Sequence, residues 1–556
     1  MEKMIQPPDL PEYSALQNIY DLAEISVRYG VRFAVVSPGS RCAPLLLGFG
    51  KHPLIEIVSV SDERSAGYIA LGIGQQTGTP AAVICTSGTA ALNLAPAVTE
   101  AFYQNTALLV FTADRPPEWI DQWDGQAIRQ KNLYEPHVKG SFDYSLDSKT
   151  KLEKRRLAQT AFELALKPGP GPVHINVPVR EPFYPENADD IKFSPDIILE
   201  KQDPSPGLKT LKTLDLNDNL FKKILVLGGQ SRLSPELTDL LSQLETPVIG
   251  DVTSNLHIVK DVIKCGDLIF KNADKQLKPD LLVTFGRSIV SKNLKLFLRK
   301  NTPSAHWHIG QGAIGDPFKS LTKKISMDPR DFFKLLLRRT SFQSSGYKKL
   351  LLEKNRQCRQ TLKNMISRTA YNEFSAVTAI LDSIPRNSVL HLGNSMPVRL
   401  ANFCSLNKPG VEVWSNRGTS GIDGTVSTSM GHALADPKRL HTLIVGDIAF
   451  LYDRNALWLN RKLPSNLKII ILNNRGGGIF DFITGPANQG DLKTLFTTPH
   501  ERDARLTAAE FGLPYTKVSN RVELSALKQF FERRSEIMEI FTETAANVSF
   551  YKKLNK

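Results

Sequence analysis

Two apolar runs, His441–Val445 and Lys468–Leu472, each read as a buried parallel strand, and they lie about one βαβ unit apart. Parallel neighbours need a helical crossover between them, so this stretch commits the chain to an α/β layer. Asp447 follows the first run and Asn474 the second. Both therefore stand at the carboxyl ends of strands, where open α/β sheets bind their ligands. A carboxylate and an amide oxygen suit a hard divalent cation, and Mg2+ keeps its remaining positions for phosphate and water. The glycines from Gly476 to Gly478 let the backbone approach a diphosphate closely.

The same alternation runs through the rest of the chain. Strands are expected at Arg32–Val36, Leu54–Val60, Ala81–Thr86, Ala107–Thr112 and Pro172–Val177, each followed by small or polar residues and most by a helical pattern. A polar segment rich in Pro, Asp and Lys, 186–220, reads as a linker. Beyond it come strands at Lys223–Gly228, Pro247–Gly250, Leu281–Phe285 and Ala305–Ile309, and then a basic helical stretch from about 330 to 368. Ser388–Leu392, 514–518 and 536–542 complete a third sheet with the two runs above. The expected division is 1–185, a linker 186–220, a central domain 221–340, a helical connection 341–368 and a third domain 369–556. The fold class is α/β, with three doubly wound parallel-sheet domains.

Hydrophobic content of 41% and charged content of 23% suit a globular chain, and no apolar run approaches a membrane span. The five cysteines, at 42, 85, 265, 358 and 404, show no C-x-x-C spacing, which argues for a reducing compartment and against a zinc site or a disulfide frame. No secretory pattern is visible at the N-terminus, so a cytoplasmic location is expected. The net charge of +14 is compatible with nucleic-acid binding, with a solvated basic surface or with attraction of small polyanionic substrates. No zinc-finger or RNP-type pattern accompanies it, so neither nucleic acid nor membrane insertion is expected.

The pair G-D-I (446–448) and N-N-R-G-G-G (473–478) resembles the thiamine-diphosphate motif, with Ile448 where a third glycine is usual and Arg475 where a small polar residue is usual. V-S-P-G-S-R (36–41), D-E-R-S-A-G (62–67), T-S-G-T-A (86–90), A-D-R-P (113–116), G-Q-A-I (125–128), G-N-S-M-P-V-R (393–399) and S-N-R-G-T-S-G-I-D-G (415–424) stand around it. Together they resemble the 2-succinyl-5-enolpyruvyl-6-hydroxy-3-cyclohexene-1-carboxylate synthases, the MenD family, over nearly the whole chain.

That resemblance implies a thiamine-diphosphate-binding fold and a transferase of the carboligase type acting in menaquinone biosynthesis. Its substrates would be 2-oxoglutarate, which loses CO2, and isochorismate, which accepts the remaining four-carbon unit. It implies thiamine diphosphate with Mg2+ or Mn2+ held by Asp447, Asn474 and the carbonyl of Gly476. Glu63 is implied as the catalytic carboxyl against the aminopyrimidine; a raised pKa suits that task. Ser395, Ile422, Gly446, Ile448 and Ile479 are implied in cofactor binding, Ile422 as the apolar prop. Substrate carboxylates call for arginines, and Ser40, Arg41, Arg115, Gln126, Lys292, Ser395, Arg399 and Arg417 match the family's substrate positions. A homodimer, or a dimer of dimers, follows because the superfamily joins the pyrimidine-binding domain of one subunit to the diphosphate-binding domain of another. An acetolactate-synthase-like carboligase or decarboxylase is the alternative; it would use Glu63 and Asp447 alike but would not need Arg399 and Arg417.

Overall fold

Uninterrupted aliphatic runs build the interior strands. Leu108–Asp114, Leu281–Phe285 and Leu467–Asn473 are buried at every position, as expected where helices cover both faces of a sheet. The computed structural model describes residues 12–554 apart from 147–149, 182, 185–191, 195–196, 198–220, 313, 339–342, 483–484, 486–487 and 489. Most of the expected linker, 186–220, therefore lies outside the described residues.

Three parallel sheets result. The first holds β1 (Phe33–Val36), β2 (Glu56–Ser59), β3 (Ala81–Cys85), β4 (Leu108–Asp114), β5 (Ser141–Asp143) and β6 (Val173–Pro178), in the order β2-β1-β3-β4-β6-β5. The second holds β7 (Ile224–Gly228), β8 (Val248–Gly250), β9 (Leu281–Phe285), β10 (Ala305–Ile309) and β11 (Lys323–Ile325), in the order β11-β10-β9-β7-β8. The third holds β12 (Val389–Leu392), β13 (Glu412–Trp414), β14 (His441–Gly446), β15 (Leu467–Asn473), β16 (Tyr515–Val518) and β17 (Glu536–Phe541), in the order β13-β12-β14-β15-β17-β16. The strand order reverses between β1 and β3 in the first sheet and between β12 and β14 in the third. Such switch points open a crevice at the carboxyl ends of the strands.

Every strand expected from the sequence is present. The three that were not foreseen, β5, β11 and β13, are three-residue edge strands with partly exposed side chains. Pairing on one side only leaves no continuous apolar run to read. The basic stretch near 330–368 is two helices, Pro329–Leu336 and Ser345–Arg368.

The described residues form two compact units. One lies within Met1–Asp203, Met430–Asp436 and Asn455–Leu463; the other lies within Pro204–Ser429, Pro437–Arg454 and Pro464–Lys556. The first unit is thus assembled from sequence-distant pieces. Val60 bridges Leu459, and the Asn460 amide donates to the Ser59 carbonyl at 3.1 Å. His432 is fully buried, with Nδ1 and Nε2 each 3.0 Å from the amide oxygens of Gln76 and Gln75. Among the described residues no helix is long and apolar enough to cross a membrane.

Candidate active site

In the second unit, the carboxyl ends of β12, β14 and β15 enclose a cavity of about 280 Å3. Asp447 opens the helix that follows β14 and is 4% exposed. Its Oδ1 accepts from the Ile448 amide at 2.7 Å, and its Oδ2 accepts from the Gly476 amide at 3.0 Å. Burial pushes this carboxyl above its ordinary value, against the pull of those amides and of His500, whose Nε2 lies 3.3 Å from Oδ2.

Asn474 is turned by a partner that the sequence did not reveal. Its Nδ2 donates to Glu373 Oε1 at 2.7 Å, and its own Oδ1 is buried with no hydrogen-bond partner. An amide whose donor end is tied back presents its oxygen to the cavity, which is the orientation a cation requires. Glu373 is 1% exposed, and burial lifts its carboxyl to about 7; the nearby Asp447 charge adds to the rise and the Asn474 bond opposes it. Its own amide is fixed by Asn547 Oδ1 at 2.9 Å. The glycines have steric reasons as well. A Cβ at Gly476 would stand 2.5 Å from the Thr497 carbonyl oxygen, and one at Gly478 would stand 2.7 Å from Asn474 Nδ2. Gly476→Ala is therefore expected to lower the affinity for cofactor by at least about tenfold by displacing the 474–478 loop, as read by a calorimetric titration.

This set fits thiamine diphosphate with a divalent metal. A buried carboxylate, a buried amide oxygen without a partner and a glycine-lined backbone supply hard oxygen ligands and room for phosphates. Glu373 orients the amide. Glu373→Leu should weaken Mg2+ affinity about 10–100-fold, the usual scale for an outer partner of a metal ligand, whereas Glu373→Gln, which keeps an acceptor for Asn474 Nδ2, should stay near the parent. Mg2+ titration followed by protein fluorescence distinguishes the two.

Around this cradle, Ser395 holds φ 69° and ψ −121° at the start of helix Met396–Cys404. Non-glycine residues persist in such a conformation where surrounding structure enforces it, often at functional sites. Arg399 donates to the Ser395 carbonyl one turn on. Arg417 NH1 donates to Asn394 Oδ1 at 3.0 Å, and Asn394 Nδ2 donates to the carbonyls of Asn416 (2.6 Å) and Gly421 (2.7 Å). Ser395, Ile422, Gly446, Ile448 and Ile479 all line the cavity. Lys292 is exposed at the start of helix Lys292–Lys300. The same helix carries Lys295, whose Nζ donates to the Ile289 carbonyl at 3.0 Å; burial, and next the Arg417 charge, hold its ammonium below the ordinary lysine value.

In the first unit, the residues singled out from sequence also gather at the carboxyl ends of strands. Ser40 and Arg41 form the turn after β1. Arg41 is 5% exposed, donates to the Val179 carbonyl at 2.5 Å and lies 4.8 Å from the Phe183 ring centre. Burial, and next the charge of Arg115, hold its guanidinium below the usual value, which marks the two arginines as neighbours. Arg115 grips the loop that follows it, through the Gly125 carbonyl and Asp124. Gln126, at φ 58°, lies with its Cα 3.2 Å from where a Cβ on Gly88 would be. Glu63 is the first residue of helix Glu63–Thr77, which Asp62 caps by accepting from the Ser65 amide at 3.2 Å. Asn93 Nδ2 donates to Glu63 Oε2 at 3.3 Å.

Glu373 and His500 escaped the sequence reading. Glu373 looks like an ordinary first-turn acid and His500 sits in a loop without a motif; only the fold brings them against Asn474 and Asp447.

Comparison with known proteins places this site in a class. Residues 20–133 match the N-terminal TPP binding domain of thiamine pyrophosphate enzymes, 220–392 their middle domain and 394–538 their C-terminal TPP binding domain. The protein is a thiamine pyrophosphate enzyme, and thiamine diphosphate with its divalent metal is the cofactor that its cradle fits. A Cytophaga hutchinsonii protein is 41% identical over 97% of this chain and 99% of its own length. Relatives from Flavobacterium johnsoniae (37%, covering 97% of each chain) and Bacteroides fragilis (36%, covering 95% of this chain and 97% of its own) are similar. All three carry the name 2-succinyl-5-enolpyruvyl-6-hydroxy-3-cyclohexene-1-carboxylate synthase, and the chain belongs to that family.

Proposed function

We propose that this enzyme decarboxylates 2-oxoglutarate and joins the remaining succinyl-semialdehyde carbanion equivalent to isochorismate. The products are 2-succinyl-5-enolpyruvyl-6-hydroxy-3-cyclohexene-1-carboxylate and CO2, in a step of menaquinone biosynthesis. The observation that carries the reading is the near-full-length similarity to enzymes of that name. The cradle at the carboxyl ends of β14 and β15 supports it. Thiamine diphosphate, when bound, supplies the carbon nucleophile and the electron sink. The chain supplies orientation and charge. Asp447, Asn474 and the Gly476 carbonyl are the metal ligands in this reading, and Glu63 is the carboxyl that holds the proton. Ser395, Ile422, Gly446, Ile448 and Ile479 complete the cofactor site, Ile422 as its apolar prop.

Both substrates are dianions, and a pocket for them needs several cations. Ser40, Arg41, Arg115, Gln126, Lys292, Ser395, Arg399 and Arg417 are the substrate-binding residues in this reading. The enzyme works in this reading as a cytoplasmic homodimer or dimer of dimers, divided into domains 1–185, 221–340 and 369–556. Sedimentation with and without cofactor tests the assembly.

The assay that tests the function follows isochorismate spectroscopically with thiamine diphosphate, Mg2+ and 2-oxoglutarate, each omitted in turn. Consumption only in the complete mixture is expected. Decarboxylation of 2-oxoglutarate or pyruvate with isochorismate left intact would assign the chain to another 2-oxoacid carboligase or decarboxylase.

A further inference from the structure

The second unit has another cavity, a cleft of about 1170 Å3 that shares no lining residue with the cofactor cradle. Helix Ser345–Arg368 forms one wall, and the loop 259–264, helix Glu373–Ser383 and the turn 405–407 form the others. Five cations face it, Lys264, Arg356, Arg359, Lys363 and Arg521, against two acids, Asp261 and Asp382.

The cations are held in an unusual way. Lys264 Nζ donates to Asn407 Oδ1 at 2.7 Å and to the Leu406 carbonyl at 3.1 Å, and Arg359 NH2 donates to the same Asn407 Oδ1 at 3.3 Å. Two positive groups thus share one neutral oxygen. Burial, and next the Arg359 charge, bring the Lys264 ammonium down to about 8. Among the described residues no carboxylate lies within ion-pair distance of Lys264, Arg359 or Lys363, whereas Arg115, Arg155, Arg330 and Arg439 each meet one.

A separate observation comes from Ser405. It holds φ 62° and ψ 117° just past helix Met396–Cys404, and its hydroxyl is buried at the cleft with no hydrogen-bond partner. Strain together with an unused buried hydroxyl is a combination that folds tolerate where a ligand completes the site. Leu362, Ile366 and Phe403 give the cleft an apolar floor beside the charges.

We infer that this cleft binds a small organic polyanion, a molecule with at least one doubly charged or two singly charged acidic groups on an apolar body. Its charge would meet Lys264, Arg359 and Lys363, its acceptor the Ser405 hydroxyl, and its body the Leu362–Phe403 floor. Carboxylates and phosphates share this chemistry, so the test uses one of each on a benzene ring.

Isophthalate and phenyl phosphate are titrated calorimetrically into the full-length protein saturated with thiamine diphosphate and Mg2+, and into an Arg359→Ala/Lys363→Ala variant. Both substituted side chains are solvent-exposed, so the fold is expected to persist, as the melting temperature of the variant verifies. At least one dianion should bind the parent with submillimolar affinity and bind the variant at least about tenfold more weakly. Ser405→Ala should lower the same affinity while leaving turnover of isochorismate unchanged. No binding of either probe to the parent, or equal binding to parent and variant, would overturn the inference. The readout is independent of which 2-oxoacid the enzyme uses.

Discussion

Asp447→Ala is expected to abolish Mg2+-dependent cofactor binding. The side chain is buried at the carboxyl end of β14, and its two oxygens are anchored by the Ile448 and Gly476 amides, so it braces the 474–478 loop besides being the proposed ligand. Its removal takes away the single anionic ligand that we assign to the metal and releases the Gly476 amide. Loss of a direct ligand exceeds the roughly 10–100-fold penalty typical of an outer partner, so turnover should fall by more than about a thousandfold. Thiamine diphosphate titration with Mg2+, and with EDTA in its place, checks this. Equal affinity in parent and variant would remove Asp447 from the metal site.

Glu63→Gln should separate binding from chemistry. Glutamine preserves the shape of the first residue of helix Glu63–Thr77 and can still accept from Asn93 Nδ2. It cannot give or take the carboxyl proton. Cofactor affinity should therefore change little, while kcat falls by about 10²–10⁴, the range that a positioned acid–base group contributes. A KM that rises with kcat unchanged would recast Glu63 as a binding residue. The Asp447 and Glu63 variants thus differ in kind, one failing to load and the other loading without turning over.

The fold was legible where physics leaves a strong local pattern. Interior strands such as β9 and β15 are aliphatic at almost every position because both faces are covered, and their boundaries could be read to within a residue. The edge strands β5, β11 and β13 left no such pattern. The site was legible to the same degree. Asp447 and Asn474 stand out because they interrupt apolar strands at their carboxyl ends. Glu373 does not, because what distinguishes it is a hydrogen bond to a residue a hundred positions away.

The discontinuity of the first unit has a consequence for biosynthesis. β1 to β6 leave the ribosome long before Met430–Asp436 and Asn455–Leu463 do, yet those late segments complete the same unit, pairing Leu459 with Val60 and placing His432 against Gln75 and Gln76. A nascent chain halted after the second sheet would hold a first unit with these partners missing and the surface beneath them uncovered. Such partly assembled species expose the groups that invite misassociation. The chain therefore has reason to depend on prompt completion, or on a chaperone, until its last third is made.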